Sequence, residues 1–262
     1  MNSSATSDLL IKVKDLHLSF DAPLYKSWTL RDLFVDWVKK PLSALEDSQE
    51  LHVLRGINLK IRKGDRIAIL GKNGAGKTSL CRCISGIYSQ SSGDVEVTGT
   101  LRAIFDTSMG IQPELTGFEN LKLLSKFIYP LERGRHHDII KDSAEFSGLG
   151  EYLHMPFKTY SNGMKARLCL SLVTALPADI LILDEVFDGA DISFRTRIVG
   201  RMTELIEKSG AVLFVSHSPD QIRQVCNKAI VLDQGVVSFF GDVEKAISIY
   251  KTLPEFGNPE GL

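Results

Sequence analysis

The sequence has few cysteines, no long apolar run and no signal for secretion. Four cysteines in a chain of 262 residues do not form a disulfide framework. No stretch approaches the roughly 18–20 uninterrupted apolar residues that a membrane-spanning helix needs. The first eight residues have neither a basic end nor an apolar core, so no secretory signal is indicated there. These absences predict a cytosolic protein.

The sequence also lacks an excess of charge. Lysine and arginine total 31 against 32 acidic residues, which gives a net charge of −1. This balance argues against a broad cationic surface for nucleic acid, and we expect no nucleic-acid partner. Hydrophobic residues make up 44% and charged residues 24%, as in an ordinary globular domain. We therefore expect a single domain over residues 1–262.

Apolar runs alternate with helical patterns along most of the chain, which predicts an α/β fold with a mostly parallel sheet. The pattern is helical from Gly117 to about Tyr160, and a hairpin is indicated around Asp233 to Gly235. A helix is predicted from Gly76–Thr78 to about Gly86, and another from Asp242 to Tyr250. The predicted strands are 11–20, 52–61, 66–70, 95–97, 101–105, 180–183 and 212–215.

Residues 24–50 interrupt this alternation. They contain Leu30, Leu33, Phe34, Trp37 and Val38 at helical spacing, and Pro41 follows. The spacing predicts an amphipathic helical insertion. It either packs on the protein's own sheet or lies against a membrane or a membrane partner, and periodicity does not choose between these alternatives.

A glycine-rich segment, Gly71–Thr78, matches the phosphate-loop pattern G-x-x-x-x-G-K-[ST] at every fixed position. It follows an apolar strand and opens a predicted helix, which is the context that the motif requires. Glycines allow a tight turn whose N–H groups point at phosphate oxygens, and the helix N-terminus adds its positive end. Lys77 supplies a cation, and the Thr78 hydroxyl is an oxygen ligand for Mg²⁺. The candidate nucleotide contacts are Gly71, Asn73, Gly74, Ala75, Gly76, Lys77, Thr78 and Ser79.

A second acidic element follows an apolar strand at 180–183. This strand delivers Asp184 to the sheet edge where Mg²⁺ would lie, and Glu185 follows as a candidate to polarise the attacking water. After the next strand, His217 is placed to reach a γ-phosphate. Together with the phosphate loop, these residues predict a site that hydrolyses a nucleoside triphosphate.

A third element, Ser161–Met164, opens a helix about twenty residues before the acidic strand. Its small, glycine-containing turn offers a second anion-binding helix start. The alternative is an ordinary helix cap by Ser161.

These motifs resemble the nucleotide-binding subunit of ABC transporters, and the resemblance covers nearly all of the chain. Gly71–Thr78 is similar to the Walker A loop, and 180–185 to Walker B with its catalytic glutamate. Ser161–Met164 stands where the ABC signature lies, Asp191 at the D-loop aspartate and His217 at the switch histidine. The fold implied is a P-loop ABC-type nucleotide-binding domain with a mixed sheet core, an antiparallel β subdomain and a helical subdomain at about 110–176.

The form Tyr160-Ser161-x-Gly163-Met164 resembles the signature of subunits that export cell-surface polysaccharides such as O-antigen, capsule and teichoic acid. The segments 113–120, 156–160 and 189–194 also agree with this type, and the helix near 28–40 looks like an insertion that many of these exporters carry. Some members add a C-terminal carbohydrate-binding domain, which we do not expect here.

The resemblance implies a head-to-tail dimer of this chain with two ATP molecules at the interface. Lys77 and Thr78 of one chain would hold each ATP, together with Ser161, Gly163 and Met164 of the other.

The resemblance also implies the catalytic roles. Asp184 would hold Mg²⁺, Glu185 would activate water and His217 would contact the γ-phosphate, while Asp191 would couple the two sites. The same family uses a Q-loop glutamine that contacts Mg²⁺ and the transmembrane partner. That position falls here on Asp106 or Thr107, and the nearby glutamine is Gln112, so three candidates remain. Asp106 could coordinate the metal through a water.

The aromatic residue that stacks on adenine is also open. Phe20 is the first candidate, with Tyr25 and His52 as alternatives. Phe20 could instead be a core residue.

The function predicted is the ATPase subunit of a polysaccharide exporter at the cytoplasmic face of the membrane. It would work with a separate transmembrane permease, and a lipid-linked glycan would be the cargo. Alternatives are another cargo (lipid, peptide or drug), or a soluble ABC ATPase of translation or DNA repair. One Walker A motif in 262 residues disfavours the latter, because such proteins usually carry two cassettes.

Overall fold

The computed structural model describes residues 8–22, 49–105, 110–184 and 192–254. The predicted helix near 28–40 lies outside these ranges, and residues 49 and 50 of the predicted insertion already belong to a strand. Five candidate site residues also lie outside the described residues: Tyr25, Asp106, Thr107, Glu185 and Asp191.

The described strands and helices follow the predicted α/β order. They are β1 (Leu9–Ala22), β2 (Gln49–Arg62), β3 (Arg66–Leu70), α1 (Lys77–Ile84), β4 (Ser92–Val97), β5 (Leu101–Ile104), α2 (Gly117–Ile128), α3 (His136–Ser147), α4 (Asn162–Val173), β6 (Ile180–Asp184), α5 (Ile192–Lys208), β7 (Ala211–Val215), α6 (Pro219–Val225), β8 (Lys228–Asp233), β9 (Val236–Gly241) and α7 (Val243–Thr252). Short 3₁₀ turns lie at Arg133–Arg135, Gly150–His154 and Phe157–Thr159.

Two sheets are present in the described part of the chain. The six-stranded sheet has the order β5-β6-β7-β3-β8-β9, and its strands are parallel except for β9. The other sheet is antiparallel, with β1 between β2 and β4. This mixed sheet beside an antiparallel sheet confirms the predicted fold class.

The central strands are buried on both faces. All five residues of β7 are buried, as its unbroken apolar run predicts. Alternate residues of β3 belong to two different hydrophobic clusters, one on each face of the sheet. Ile67 and Ile69 pack with residues of β1, β2 and α1. Ala68 and Leu70 pack with residues of α5 and α7. The six-stranded sheet is therefore the middle layer of the fold, with a core on each side.

A helical segment lies between β5 and β6 and contains α2, α3 and α4. The continuous helical pattern predicted from Gly117 to Tyr160 is interrupted, because α2 ends at Ile128 and α3 ends before Gly148 in the left-handed conformation. Thr116 caps α2 in a capping box with Glu119. The three helices share a cluster of their own around Leu121 and other buried residues. The predicted helical subdomain bounds of about 110–176 stay a prediction.

The strand register brings three loops to one edge of the sheet. Asp184 of β6 pairs with Val215 of β7, and Val215 pairs with Ile69 of β3. The carboxyl ends of these parallel strands therefore lie side by side, which is where ligands bind in open α/β sheets. Within the described ranges, none of the helices is long and apolar enough to cross a bilayer.

Candidate functional site

The phosphate loop follows β3 and depends on its glycines. Gly74 and Gly76 have φ angles of +80° and +100°, a region that favours glycine. A Cβ atom on Gly71 would lie 2.4 Å from the carbonyl oxygen of Leu232 in β8. Only glycine at this position lets the loop pass so close to the neighbouring strand.

The loop is tied to the β8–β9 hairpin as well as to itself. The Ala75 N–H donates to the Lys72 carbonyl at 3.1 Å, and the Gly235 N–H donates to the Ala75 carbonyl at 3.1 Å. Gly235 itself needs to be glycine, because its Cβ would lie 2.3 Å from the carbonyl oxygen of Val53. Asn73 is exposed. The backbone of the loop is therefore fixed by contacts within the protein.

Lys77 is the first residue of α1 and its side chain points back into the loop. The residue is 8% exposed, and its ammonium donates to the carbonyl oxygens of Gly71 at 2.8 Å and Lys72 at 3.2 Å. Thr78 and Ser79 follow in the first turn of α1, where backbone N–H groups have no partner within the helix. This arrangement gathers N–H donors, a helix N-terminus and a cation around one point, as an anion site requires.

Asp184 ends β6 at the same edge as the loop. Burial raises the pKa of the Cys81 thiol in α1, the negative charge of Asp184 raises this pKa further, and the positive charge of Lys77 lowers it. The strand register supports the same placement, because Asp184 pairs with Val215 and Val215 pairs with Ile69, one residue before the last residue of β3. The structure thus places the candidate Mg²⁺ ligand and the phosphate loop at the same edge of the sheet.

His217 lies two residues beyond the end of β7. This strand lies between β6, which ends at Asp184, and β3, which precedes the phosphate loop. Its ring is exposed, and its Nδ1 atom lies 3.4 Å from the Tyr250 hydroxyl of α7. The Lys72 ammonium also lies over the Tyr250 ring, with Nζ 5.2 Å from the ring centroid. Sequence reasoning did not find Tyr250, because no motif marks a contact between residues 33 positions apart.

The signature-like residues belong to the helical segment. Ser161 is the N-cap of α4, and its hydroxyl accepts from the Met164 N–H at 3.3 Å. The interpretation of Ser161 as a helix cap is therefore confirmed. Gly163 lies in the first turn, and Met164 packs against the hydrophobic cluster of the helical segment. A role for these residues toward ATP stays a prediction.

Phe20 lies near the end of β1 and is 41% exposed. Its ring packs edge-on against Tyr88, with ring centroids 5.6 Å apart. The interpretation of Phe20 as a core residue is wrong, because its ring is too exposed. His52 is also exposed, with Nε2 3.9 Å from a Glu50 carboxylate oxygen. The adenine contact stays a prediction.

Gln112 is fixed by the buried side chain of Asn120. Its N–H donates to Asn120 Oδ1 at 2.8 Å, and its carbonyl oxygen accepts from Asn120 Nδ2 at 3.0 Å. Gln112 and Phe105, which flank residues 106–109, both line a cavity of about 710 Å³. We call this cavity the apolar groove, and its other walls include Ile104, Leu124, Phe127 and Leu172.

The sheet order, the phosphate loop and the neighbouring Asp184 define a P-loop nucleotide-binding fold. A family model described as ABC transporter matches residues 54–188, which is more than half of the chain. The chain belongs to the ABC transporter family.

Curated relatives agree with this assignment. The chain is 36% identical to the ATP-binding protein BexA of Haemophilus influenzae, over 76% of this chain and 89% of that protein. It is 38% identical to the capsule polysaccharide export ATP-binding protein CtrD of Neisseria meningitidis serogroup B, over 77% of this chain and 91% of that protein. It is 32% identical to the teichoic acids export ATP-binding protein TagH of Bacillus cereus, over 83% of this chain but 39% of that protein. The chain thus spans about two fifths of that longer relative.

Solved structures show the same fold. A dimeric ATP-binding cassette in a post-hydrolysis state bound to ADP and Pi has a TM-score of 0.66 and 17% identity, over 89% of this chain and 99% of that one. An ATP-binding subunit of an ABC transporter has a TM-score of 0.67 and 20% identity, over 93% of this chain and 100% of that one. At this identity the likeness concerns the fold alone.

Proposed function

We propose that this chain is the ATP-hydrolysing subunit of an ABC transporter that exports a lipid-linked cell-surface polysaccharide. The observation that carries this proposal is the meeting of the phosphate loop, Asp184 and His217 at one edge of the six-stranded sheet. The cargo is supported by the relatives of this chain, which include export proteins for capsule polysaccharide, teichoic acids and O-antigen.

ATP binding follows from the charge distribution of the loop. The triphosphate lies along the loop N–H groups at the N-terminus of α1, and the Lys77 ammonium neutralises part of its charge. Phe20 is our candidate for the adenine contact, because an exposed aromatic ring can stack on a base.

The donors near the loop fit Mg²⁺. Thr78 and Asp184 offer a hydroxyl and a carboxylate, both hard oxygen ligands. Mg²⁺ suits these donors, because it is usually bound through one or two carboxylates, phosphate oxygens and waters. Asp106 would add a ligand through water.

Hydrolysis needs a base beside the γ-phosphate. Glu185 follows Asp184 directly, so we assign it the activation of the attacking water. His217 donates to a γ-phosphate oxygen from the end of the neighbouring strand. Its N–H offsets part of the negative charge that the transition state spreads over the phosphoryl oxygens.

The chain acts as a head-to-tail dimer. Ser161, Gly163 and Met164 of one chain complete the ATP site of the other, and Asp191 couples the two sites. The start of α4 supports this role, because the N–H groups of Asn162 and Gly163 precede the capped N–H of Met164 and have no partner within the helix. ATP then drives closure, because the closed dimer has contacts that the separated chains lack.

The dimer is tested with Glu185→Gln, which keeps the shape of the side chain but removes the base. We expect this variant to lose turnover, to keep ATP binding and to elute as a dimer with MgATP but not with MgADP. Glu207→Gln, on the distant end of α5, is the matched control and should turn over normally. A Glu185→Gln variant that stays monomeric and still hydrolyses ATP would contradict both the base and the dimer.

Attachment to the cytoplasmic face of the membrane is through a separate permease. The apolar groove supports this proposal, because it opens beside Phe105 and Gln112, which flank the region where the family places its partner-contacting Q-loop. Phe127 lines the groove and is 72% exposed, so its ring continues the apolar surface of the groove out to the solvent. We assign the groove to a helix or loop of the permease.

A further inference from the structure

The last helix of the described chain is firmly held beside the nucleotide site. Val243, Ala246 and Ile247 bury one face of α7 in the core below β3 and β8. At the N-terminus of this helix, the Glu244 carboxylate accepts from Arg223 of α6, with Nε and Oε1 2.7 Å apart. Because α6 directly follows the loop that carries His217, α7 is fixed relative to that loop.

Tyr250, in the last turn of α7, reaches two loops of the site at once. Its hydroxyl oxygen lies 3.4 Å from the Nδ1 atom of His217. Its ring lies under the ammonium of Lys72, the second residue of the phosphate loop, at 5.2 Å from Nζ to the ring centroid. This distance is within the range of a cation–π interaction. One half-buried side chain therefore bridges the loops after β3 and β7.

We propose that Tyr250 is a positioning residue that keeps the proton of His217 on Nε2 and directs that N–H toward the nucleotide. The inference rests on the proposed function. A neutral imidazole has one donor and one acceptor nitrogen, and the partner of one nitrogen decides which form is present. When the tyrosine hydroxyl donates to Nδ1, the proton remains on Nε2. A phosphate oxygen accepts hydrogen bonds and needs a donor, so this is the form that can hold a γ-phosphate.

The ring of Tyr250 has a second effect. It holds the Lys72 ammonium next to the phosphate loop, which adds positive charge near the triphosphate. The hydroxyl and the ring are separable by mutation. Tyr250→Phe removes only the hydrogen bond to His217, whereas Tyr250→Leu removes the ring under Lys72 as well.

The test determines the tautomer of His217 by ¹⁵N NMR. The sample is the full chain, labelled with ¹⁵N-histidine and free of nucleotide. The signal of His217 is assigned by its loss in His217→Gln, since the chain has 6 histidines. We expect the Nε2–H form in the wild type and a mixture of both forms in Tyr250→Phe. Tyr152→Phe, which alters an exposed tyrosine in the helical segment, is the matched control and should leave the His217 signal unchanged.

Steady-state kinetics on the same variants supply the second readout. Tyr250→Phe should lower kcat about threefold to tenfold, the effect of losing one hydrogen bond, while KM for MgATP stays unchanged. Tyr250→Leu should lower kcat and also raise KM for MgATP, because the Lys72 ammonium loses its cation–π contact with the Tyr250 ring. Thermal melting confirms that each variant is folded.

The outcomes separate the two proposals. An unchanged tautomer and unchanged kcat in Tyr250→Phe would overturn the role of Tyr250, even if the wild type hydrolyses ATP. A wild type that does not hydrolyse ATP would overturn the proposed function, whereas a tautomer change in Tyr250→Phe would still support the contact with His217.

Discussion

The ammonium of Lys77 donates a hydrogen bond of 2.8 Å to the carbonyl oxygen of Gly71, six residues earlier in the same loop. The loop therefore closes around its own cation. An ammonium held by two backbone carbonyl oxygens of the phosphate loop is already placed for a phosphate, so little ordering is needed when the anion binds.

Replacing Lys77 by alanine removes the cation of the site. We expect MgATP to bind about tenfold to a hundredfold more weakly, which is the value of a hydrogen bond to a charged group. Calorimetric titration of the purified chain with MgATP measures the change. Lys126→Ala, an exposed lysine of α2, is the control and should bind as the wild type does. Equal affinity in the two variants would show that Lys77 does not contact the nucleotide.

Gly71→Ala tests the close approach of the loop to β8. The added Cβ would lie 2.4 Å from the Leu232 carbonyl, a backbone atom that cannot move aside. We expect a loss of about 1–3 kcal/mol in the free energy of unfolding, together with weaker MgATP binding. Gly134→Ala is the matched control, because its Cβ would meet nothing within 4 Å. Chemical denaturation compares the two, and equal stability would contradict the packing described here.

Asp179→Asn tests a link between β5 and β6. The Asp179 carboxylate accepts from the backbone N–H and the hydroxyl of Thr100, both at 2.8 Å. These hydrogen bonds, with the backbone one as the largest cause, lower the pKa of Asp179 below its ordinary value of 3.8. Because the pKa is lower in the folded state, the ionised carboxylate stabilises the fold at pH values above its ordinary pKa. This contribution is lost as the pH falls through the folded-state pKa.

The wild type should therefore be more stable than Asp179→Asn at about pH 6, and the difference should shrink toward about pH 3. Urea denaturation across this range measures it. Asp94→Asn, an exposed carboxylate of β4, serves as the control. A difference that stays constant with pH would mean that the carboxylate charge of Asp179 does not contribute.

Phe127→Asp tests the apolar groove as the contact with the permease. The side chain is 72% exposed, so a charge there should leave the fold intact while opposing an apolar partner. We expect the amount of permease that co-purifies with the chain from detergent-solubilised membranes to fall strongly. Tyr152→Asp places the same charge on an exposed aromatic residue outside the groove and should retain the permease. Equal recovery with both variants would exclude the groove.

The sequence predicted the parts of the fold that short segments determine. Unbroken apolar runs indicated the buried strands β6 and β7, and Ser161 and Asp242 marked the starts of α4 and α7. The phosphate-loop motif located the start of α1 correctly. These features depend on neighbours within a few residues, so pattern and capping rules describe them well.

Other features depend on distant neighbours or on local breaks in a pattern. The helical pattern after Gly117 did not reveal that α2 ends before Pro130, although proline was a visible signal. The bulges in β1, where Asp15 has a φ of +46°, come from pairing with β2 and β4 on both sides. The bridge from Tyr250 to His217 and Lys72 exists only once α7 has packed beside β3 and β8.

The measurement that tests the central claim most directly is an analysis of polyprenyl-linked lipids in a strain that lacks this chain. We predict that a carrier-linked glycan accumulates inside the cell and that the surface glycan is lost. A gene copy of the wild type should reverse both effects, and a copy with Lys77→Ala should reverse neither. A normal lipid profile with an intact surface glycan would contradict polysaccharide export as the function of this chain.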